Sequence, residues 1–247
     1  MGFSGCSFVV IGSYGGIGST ICKSLKSSGA EVLIAGKNLS KLEDLSSEIS
    51  APYYQVDASS FDQVDSLLEY SKSKLGKISG IVNCCGSLLL KPAHLTSETE
   101  YLSIIQTNLT TAFASIRSGA KAMSPEGGSI LLISSAAANI GLSSHEAIAC
   151  AKAGIIGLTK SAAATYAAKN IRVNCIAPGL VSTPLTANIT KNENALKTSI
   201  SMHPMGKIGQ PADIASGALW LLDPLNSWVT GQTLVIDGGL STLKTRP

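Results

Sequence analysis

The strongest constraint on the fold is an alternation that runs almost the whole length of the 247-residue chain. Short runs rich in Val, Ile and Leu fall at residues 7–11, 31–35, 52–56, 78–83, 128–134, 171–177 and 233–236. Between them, residues 19–28, 39–49, 61–75, 97–123, 144–169 and 211–222 read as helices. In the third of these, Phe61, Val64, Leu67, Leu68 and Leu75 share one stripe. Apolar strands separated by helices need both sheet faces covered, so the pattern predicts an α/β fold with a doubly wound parallel sheet. No linker, repeat or low-complexity tract divides the chain, which predicts one domain over residues 1–247. The least regular stretch, residues 181–209, is expected to be an irregular loop over a substrate.

Composition narrows the function classes. Charged residues make up 14% of the chain, apolar residues 45%, and the net charge is +3. That is too apolar for a disordered chain and too weakly basic for a nucleic-acid binder. The apolar runs look too short to span a membrane. The first residues lack the basic flank of a secretion signal, Cys6 stands where a myristoylation signal wants Ser or Thr, and the last residues form no prenylation signal. The six cysteines (Cys6, Cys22, Cys84, Cys85, Cys150, Cys175) show neither disulfide nor metal-ligand spacing. They are expected to be small buried hydrophobes in a reducing cytoplasm, with no metal site.

The first strand runs into Gly12-Ser13-Tyr14-Gly15-Gly16-Ile17-Gly18 and then a helix. Glycines at 12, 16 and 18 let the chain turn sharply and bring backbone N–H groups close to a pyrophosphate, with the helix offering its positive end. The spacing is G-x-x-x-G-x-G, and its place between strand and helix marks a dinucleotide site.

This turn, with further pieces in order, resembles the short-chain dehydrogenase/reductase family, in its branch of about 250 residues. Asn83-Cys84-Cys85-Gly86 is similar to the family's Asn-Asn-Ala-Gly after strand four. Asn108 lies in the next long helix, Ser135 closes strand five, and Lys152 stands 17 residues beyond it. Pro178-Gly179, with Val181 and Thr183 behind, follows strand six, and Asp237-Gly238-Gly239 follows the last strand. The resemblance covers residues 5 to 240 and implies a single-domain Rossmann fold with a seven-stranded sheet. It implies cofactor contacts from Gly12, Ser13, Tyr14, Gly16, Ile17, Gly18, Asp57, Ala58, Asn83, Cys84, Cys85, Gly86, Lys152, Pro178, Gly179, Val181 and Thr183. At the end of strand two, Gly36 takes the place of the usual acid and Lys37 follows. A cation there pairs with a 2′-phosphate, so NADP(H) is favoured, with NAD(H) left open.

The resemblance further implies catalytic roles for Asn108, Ser135 and Lys152, but not for the family's tyrosine. Four residues before Lys152 stands Ile148, and no tyrosine lies between residues 102 and 165. Isoleucine has no proton to give, and losing a positioned acid costs about 10²–10⁴ in rate. His145, three residues earlier, is the candidate replacement, because imidazole gives and takes a proton near neutral pH. Ser135 with a water is the alternative. Two functions follow: a reductase or dehydrogenase acting on a small carbonyl or alcohol with an atypical proton donor, or a dinucleotide-binding homologue that acts as partner subunit or cofactor-responsive regulator. Substrate contacts are expected from residues 88–94, 136–146 and 186–203, lined by Leu88, Leu89, Leu90, Ile140, Leu142 and Ile148. The small-residue segment 159–168 and the family's habit imply a homodimer or homotetramer. No nucleic acid or membrane partner is expected.

Overall fold

The computed structural model describes residues 2–124 and 126–244. The chain-end readings at residues 1 and 245–247 lie outside the described residues. The strands are β1 Ser7–Ile11, β2 Glu31–Gly36, β3 Tyr53–Gln55, β4 Gly80–Asn83, β5 Gly128–Ile133, β6 Ile171–Pro178 and β7 Thr233–Ile236. The helices are α1 Gly16–Ser27, α2 Leu39–Ile49, α3 Phe61–Leu75, α4 Glu98–Ile105, α5 Thr111–Met123, α6 Glu146–Tyr166, α7 Ala187–Thr190, α8 Glu193–Met202 and α9 Pro211–Leu222. All seven strands pair in parallel, in the order β3-β2-β1-β4-β5-β6-β7. Strand order therefore reverses between β1 and β4, and their carboxyl ends open a crevice.

Side-chain alternation along the strands assigns the two faces. Val9 and Ile11 of β1, with Leu33 and Ala35 of β2, pack on α3, α5 and α6 through Val64, Leu67, Ile116 and Ile155. Phe8, Val10, Val32 and Ile34 point the other way, onto α1, α2 and α9 through Ile21, Leu25, Leu42, Leu45, Ile214 and Leu222. Burial on both faces explains why β1 reads as one continuous apolar run rather than an alternating one.

The expected elements are all present, with four departures. Helix α1 starts at Gly16, because the glycine turn itself supplies the first helical bonds: Ser19 N donates to Gly15 O at 2.8 Å. The expected long helix over 97–123 is broken by a π turn at Gln106–Thr110. Asn108 Nδ2 donates to Ile104 O at 3.0 Å, the carbonyl its own N–H would use in a regular helix. Helix α6 starts at Glu146, after Ser144 takes a left-handed φ of 60°. The stretch 181–209 is not irregular: it holds α7 and α8, the latter capped by Asn192 Oδ1 accepting from Ala195 N at 3.0 Å. Its ends are tied by a bridge between Val181 and Gly209.

Glu146–Lys169 is long and apolar enough to cross a bilayer by length and composition, against the sequence expectation. The apolar content serves packing, since Ala147, Ile148, Ala151 and Ile155 of α6 are buried.

Candidate active site

The glycine turn is shaped by what passes over it. Gly12 has φ +74°, and a Cβ there would stand 2.8 Å from Cys85 N. A Cβ at Gly16 would stand 2.8 Å from Thr183 Cγ2. The turn thus contacts both the segment after β4 and the segment after β6, and only glycine allows that approach. The cap residue Gly15 offers no side chain to the first N–H groups of α1, and no acid sits in that first turn. A helix end left so open is a fitting seat for a pyrophosphate. Ser13 is buried and donates its hydroxyl to Ala35 O at 3.2 Å, so its side chain ties the turn to β2.

At the outer end of the crevice, Tyr14 lies over Gly36, where a Cβ would fall 3.2 Å from Tyr14 Cδ1. The phenol oxygen accepts from Asn38 N at 3.2 Å. An acid at position 36 would collide with this ring, which gives a physical reason for its absence. Lys37 is largely exposed and pairs with Asp57 at 3.1 Å. Burial works against the Asp57 charge, but bonds from Ser59 and Lys37 outweigh it and hold the carboxyl below its ordinary range. Ser60, not Asp57, caps α3. Ala58 is buried behind the pair.

At the inner end, a cleft of about 600 Å³ collects residues from five segments. Cys84, Cys85 and Gly86 arrive from β4, Asn108 from the π turn, Ser135 from β5, His145, Ile148 and Lys152 from α6, and Pro178, Gly179, Val181 and Thr183 from β6. Asn108 is fully buried, with Nδ2 donating to Ser87 Oγ at 3.0 Å and Oδ1 accepting from Ser87 N at 3.3 Å. A Cβ at Gly86 would stand 3.3 Å from Asn108 Oδ1 and 3.6 Å from Lys152 Nζ. Lys152 is buried and donates to Ile133 O at 2.8 Å, and its backbone carbonyl accepts from Ser134 Oγ at 2.8 Å. Ser135 Oγ accepts from Ala137 N at 3.1 Å, which leaves its O–H to donate. Ile148 is 3% exposed and stands in an apolar cluster with Ile104, Ala147, Ala151, Leu88 and Leu109 while also lining the cleft. His145 precedes α6, with Nδ1 held 2.7 Å from Ser143 O, so Nε2 is the free ring nitrogen.

Three expected site residues do structural work. Asn83 is buried, donating to Ser115 Oγ at 3.0 Å and accepting from Cys85 N at 2.8 Å. It locks β4 to α5 and shapes the turn that crosses Gly12. The adjacent Cys84 and Cys85 pack on opposite faces of the sheet. The reading of all six cysteines as buried is corrected: Cys22 and Cys175 are buried, Cys6, Cys84 and Cys85 are half-buried, and Cys150 is exposed. Cys150 sits on the outer side of α6, 3.9 Å from Tyr101 Oη. Of the expected lining residues, Leu88, Leu90, Leu142 and Ile148 reach the cleft, whereas Leu89 packs behind Ile148 and Ile140 is not among the lining residues.

His203, the last residue of the expected substrate segment 186–203, has a role of its own that the sequence does not signal. It is buried at the end of α8, accepts from Leu180 N on Nε2 at 3.2 Å, and places Nδ1 2.6 Å from Ser199 O. It fastens the lid helix to the segment after β6. A lone histidine before a proline carries no sequence signal for that role.

Burial pushes the Lys152 ammonium down from 10.5 to about 8. Unfolded, it titrates near 10.5, so from pH 8 upward the unfolded chain binds the extra proton and this group favours the fold more as pH rises. The whole span is roughly 3 kcal/mol. Burial also pushes the Cys84 and Cys85 thiols from 9.0 up to about 12, so above pH 9 they act in the opposite sense. Urea midpoints are expected to rise from pH 8 to 9 and to fall beyond it, and Lys152→Met to remove the rise. An unchanged wild-type midpoint over that interval contradicts a charged, desolvated lysine.

Known proteins share the sequence pattern and the fold. A family model described as enoyl-(acyl carrier protein) reductase matches residues 12–241. A 3-oxoacyl-[acyl-carrier-protein] reductase of Chlamydia pneumoniae is 37% identical, over 96% of this chain and 97% of its own length. Carbonyl reductase family member 4 of Danio rerio is 31% identical, over 95% of this chain and 98% of its own. A short-chain type dehydrogenase/reductase from Mycobacterium ulcerans matches with a TM-score of 0.94 at 28% identity, covering 98% of this chain and 91% of that one. The structure of ElxO with NADP bound matches with a TM-score of 0.91 at 28% identity, covering 96% and 99%. With a family model over residues 12–241, relatives above 30% identity along nearly the whole chain and the same overall fold, the chain belongs to the short-chain dehydrogenase/reductase family of oxidoreductases.

Proposed function

We propose that the protein is an NADP(H)-dependent oxidoreductase acting on a small carbonyl or alcohol, with Ile148 at the position where its family carries the catalytic tyrosine. The observation that carries this reading is the convergence of Asn108 and Lys152 on Gly86, beside Ser135 and within reach of the glycine turn. A bound nicotinamide dinucleotide would supply or take up the hydride. The uncapped start of α1 would hold its pyrophosphate, and Lys152 its nicotinamide ribose. Val181 and Thr183 border the same floor, where Thr186 Oγ1 braces the loop by donating to Val181 O at 2.6 Å. Ser135 donates its O–H to the substrate oxygen and orients it. The proton comes from His145 in its imidazolium form: Nδ1–H is held by Ser143 O, and Nε2–H gives its proton to the substrate oxygen and leaves a neutral imidazole. Asn108, anchored by Ser87 and Ile104, keeps a polar path open behind Lys152.

Preference for NADP(H) rests on Gly36, which offers no acid to a ribose, and on the exposed cation Lys37. A 2′-phosphate would take Lys37 from Asp57. NADPH consumption with a neutral ketone is expected, faster than with NADH. Lys37→Glu is expected to shift the NADPH/NADH ratio of kcat/KM by about 10- to 100-fold toward NADH. Ser135→Ala and His145→Ala are expected to cut turnover while leaving dinucleotide binding intact. If Lys37→Glu leaves the ratio unmoved, the assignment of Lys37 fails; if neither coenzyme is consumed, the oxidoreductase reading fails. The missing tyrosine favours one second reading, a binding homologue that regulates or partners another protein. That reading expects dinucleotide binding with no turnover.

A further inference from the structure

The substrate class can be taken further, on the reading just given, from the charges and shape of the cleft. Among the described residues, Lys152 is the one Lys, Arg, Asp or Glu that lines the cleft, where the other ionisable basic groups are the imidazoles of His145 and His203. Its ammonium sits at the floor, bonded to Ile133 O. No carboxylate or guanidinium among the described residues lines the wall. Lys91, next to the mouth in sequence, is held by both oxygens of Glu100 at 2.9 and 2.8 Å. The charged residues of the substrate segments, Glu146, Lys191, Glu193 and Lys197, do not line the cleft either.

The walls are aliphatic instead. Leu88, Leu142 and Ile148 line the cleft before and on α6, and Leu185, Ile189 and Met202 line it from the turn, α7 and α8 that form a lid over 184–202, where Asn194, Thr198 and Ser199 of α8 also reach the cleft. At the mouth this surface meets water: Leu90 is 42% exposed, Leu185 54% and Met202 42%. Apolar side chains lining a concave site gain most from a ligand that covers them. An anion carried between them would lose its water and meet no cation short of Lys152 at the floor. Where a phenol would present a polar atom, Ile148 presents an aliphatic side chain, in the same cleft as the polar Ser135 and Asn108.

We propose that this cleft takes a free, uncharged carbonyl compound with an aliphatic body, its oxygen toward Ser135 and its body between Ile148 and the lid. Keto acids and phosphorylated compounds are disfavoured by the same wall, and so is a thioester of coenzyme A, whose phosphates would meet no Lys or Arg among the described lining residues short of Lys152 at the floor.

The test is calorimetric titration of the protein saturated with NADP+, using 2-octanone, its chain-matched keto acid 7-oxooctanoate, and acetoacetyl-coenzyme A. 2-Octanone is expected to bind about 10-fold or more tightly than 7-oxooctanoate, and more tightly than the thioester. Leu185→Asp and Met202→Asp, at exposed positions that fold tolerates, are expected to weaken 2-octanone by about 10-fold and to narrow the gap. Leu225→Asp, at an 88% exposed position that does not line the cleft, is expected to change nothing. Equal or tighter binding of the keto acid or thioester, no binding of 2-octanone, or indifference to the two lid variants overturns the proposal. The two readings fail separately. Binding of 2-octanone without NADPH consumption leaves the ligand class standing and sinks the oxidoreductase. Reduction of the thioester without 2-octanone binding does the reverse. If NADP+ does not bind, the titration of protein alone is expected to keep the same order.

Discussion

Ile148→Tyr is expected to raise turnover of a neutral ketone, by about 10²–10⁴-fold in a His145→Ala parent that has lost its own donor and by less in the wild type, where His145 already gives the proton. That factor corresponds to about 3–5.5 kcal/mol of barrier. Ile148 precedes Lys152 by four residues on α6, so both side chains share one helix face. Both line the cleft, with Ser135 opposite. A phenol in this place would meet the substrate oxygen held by Ser135 and feel the Lys152 ammonium, which would lower its own pKa. The larger ring must displace part of the cluster of Ile104, Leu88 and Leu109, which costs about 1–3 kcal/mol of stability. That cost falls on the fold rather than on the barrier. The measurement is kcat with NADPH for wild type, the His145→Ala parent and the Ile148→Tyr variant of each, alongside thermal melts. A folded variant that binds NADPH normally and gains no activity would show that residue 148 does not face the reacting oxygen.

Lys152→Met is expected to move stability and binding in opposite directions. The ammonium is almost fully buried, with one carbonyl partner, Ile133 O. Methionine keeps the volume and removes the charge. Relief of roughly 3 kcal/mol of charge burial is partly offset by the carbonyl losing its donor, so a net gain of about 1–2 kcal/mol is expected at pH 7. Dinucleotide affinity is expected to fall by about 10-fold or more, because the ribose loses a charged donor. Turnover falls with it. A variant that melts lower and binds NADP+ as wild type does would assign Lys152 to the fold alone. A stabilising loss of function of this kind marks a group kept for chemistry at the expense of stability.

Much of this arrangement was legible in the sequence. The strands were readable because parallel strands buried on both sides leave continuous apolar runs, as in Val9, Val10 and Ile11. The glycine turn was readable because a positive φ at Gly12 and close packing at Gly16 admit no other residue. What escaped depends on side chains that act across the fold. The π turn follows from Asn108 capturing the Ile104 carbonyl, a competition that periodicity does not register. Asn83 looks like a cofactor ligand in one dimension, and only its contact with Ser115 shows the lock between β4 and α5. The stretch 181–209 reads as irregular because its Thr and Asn residues, which cap and brace α7 and α8, look like loop composition. Cys150 was placed in the core because it sits between alanines, yet its position on α6 turns it outward. Tyr14 over Gly36 links two anomalies, a bulky residue in the glycine turn and a missing acid, that the sequence presents separately.

The account stands on a nicotinamide dinucleotide lying from Lys37 across the glycine turn to Lys152. Calorimetric titration of NADP+ into the wild-type protein tests it most directly. One site per chain is expected, with a dissociation constant in the micromolar range or below and weaker binding of NAD+. A titration that releases no heat with either nucleotide, and leaves the melting temperature unmoved, would contradict it.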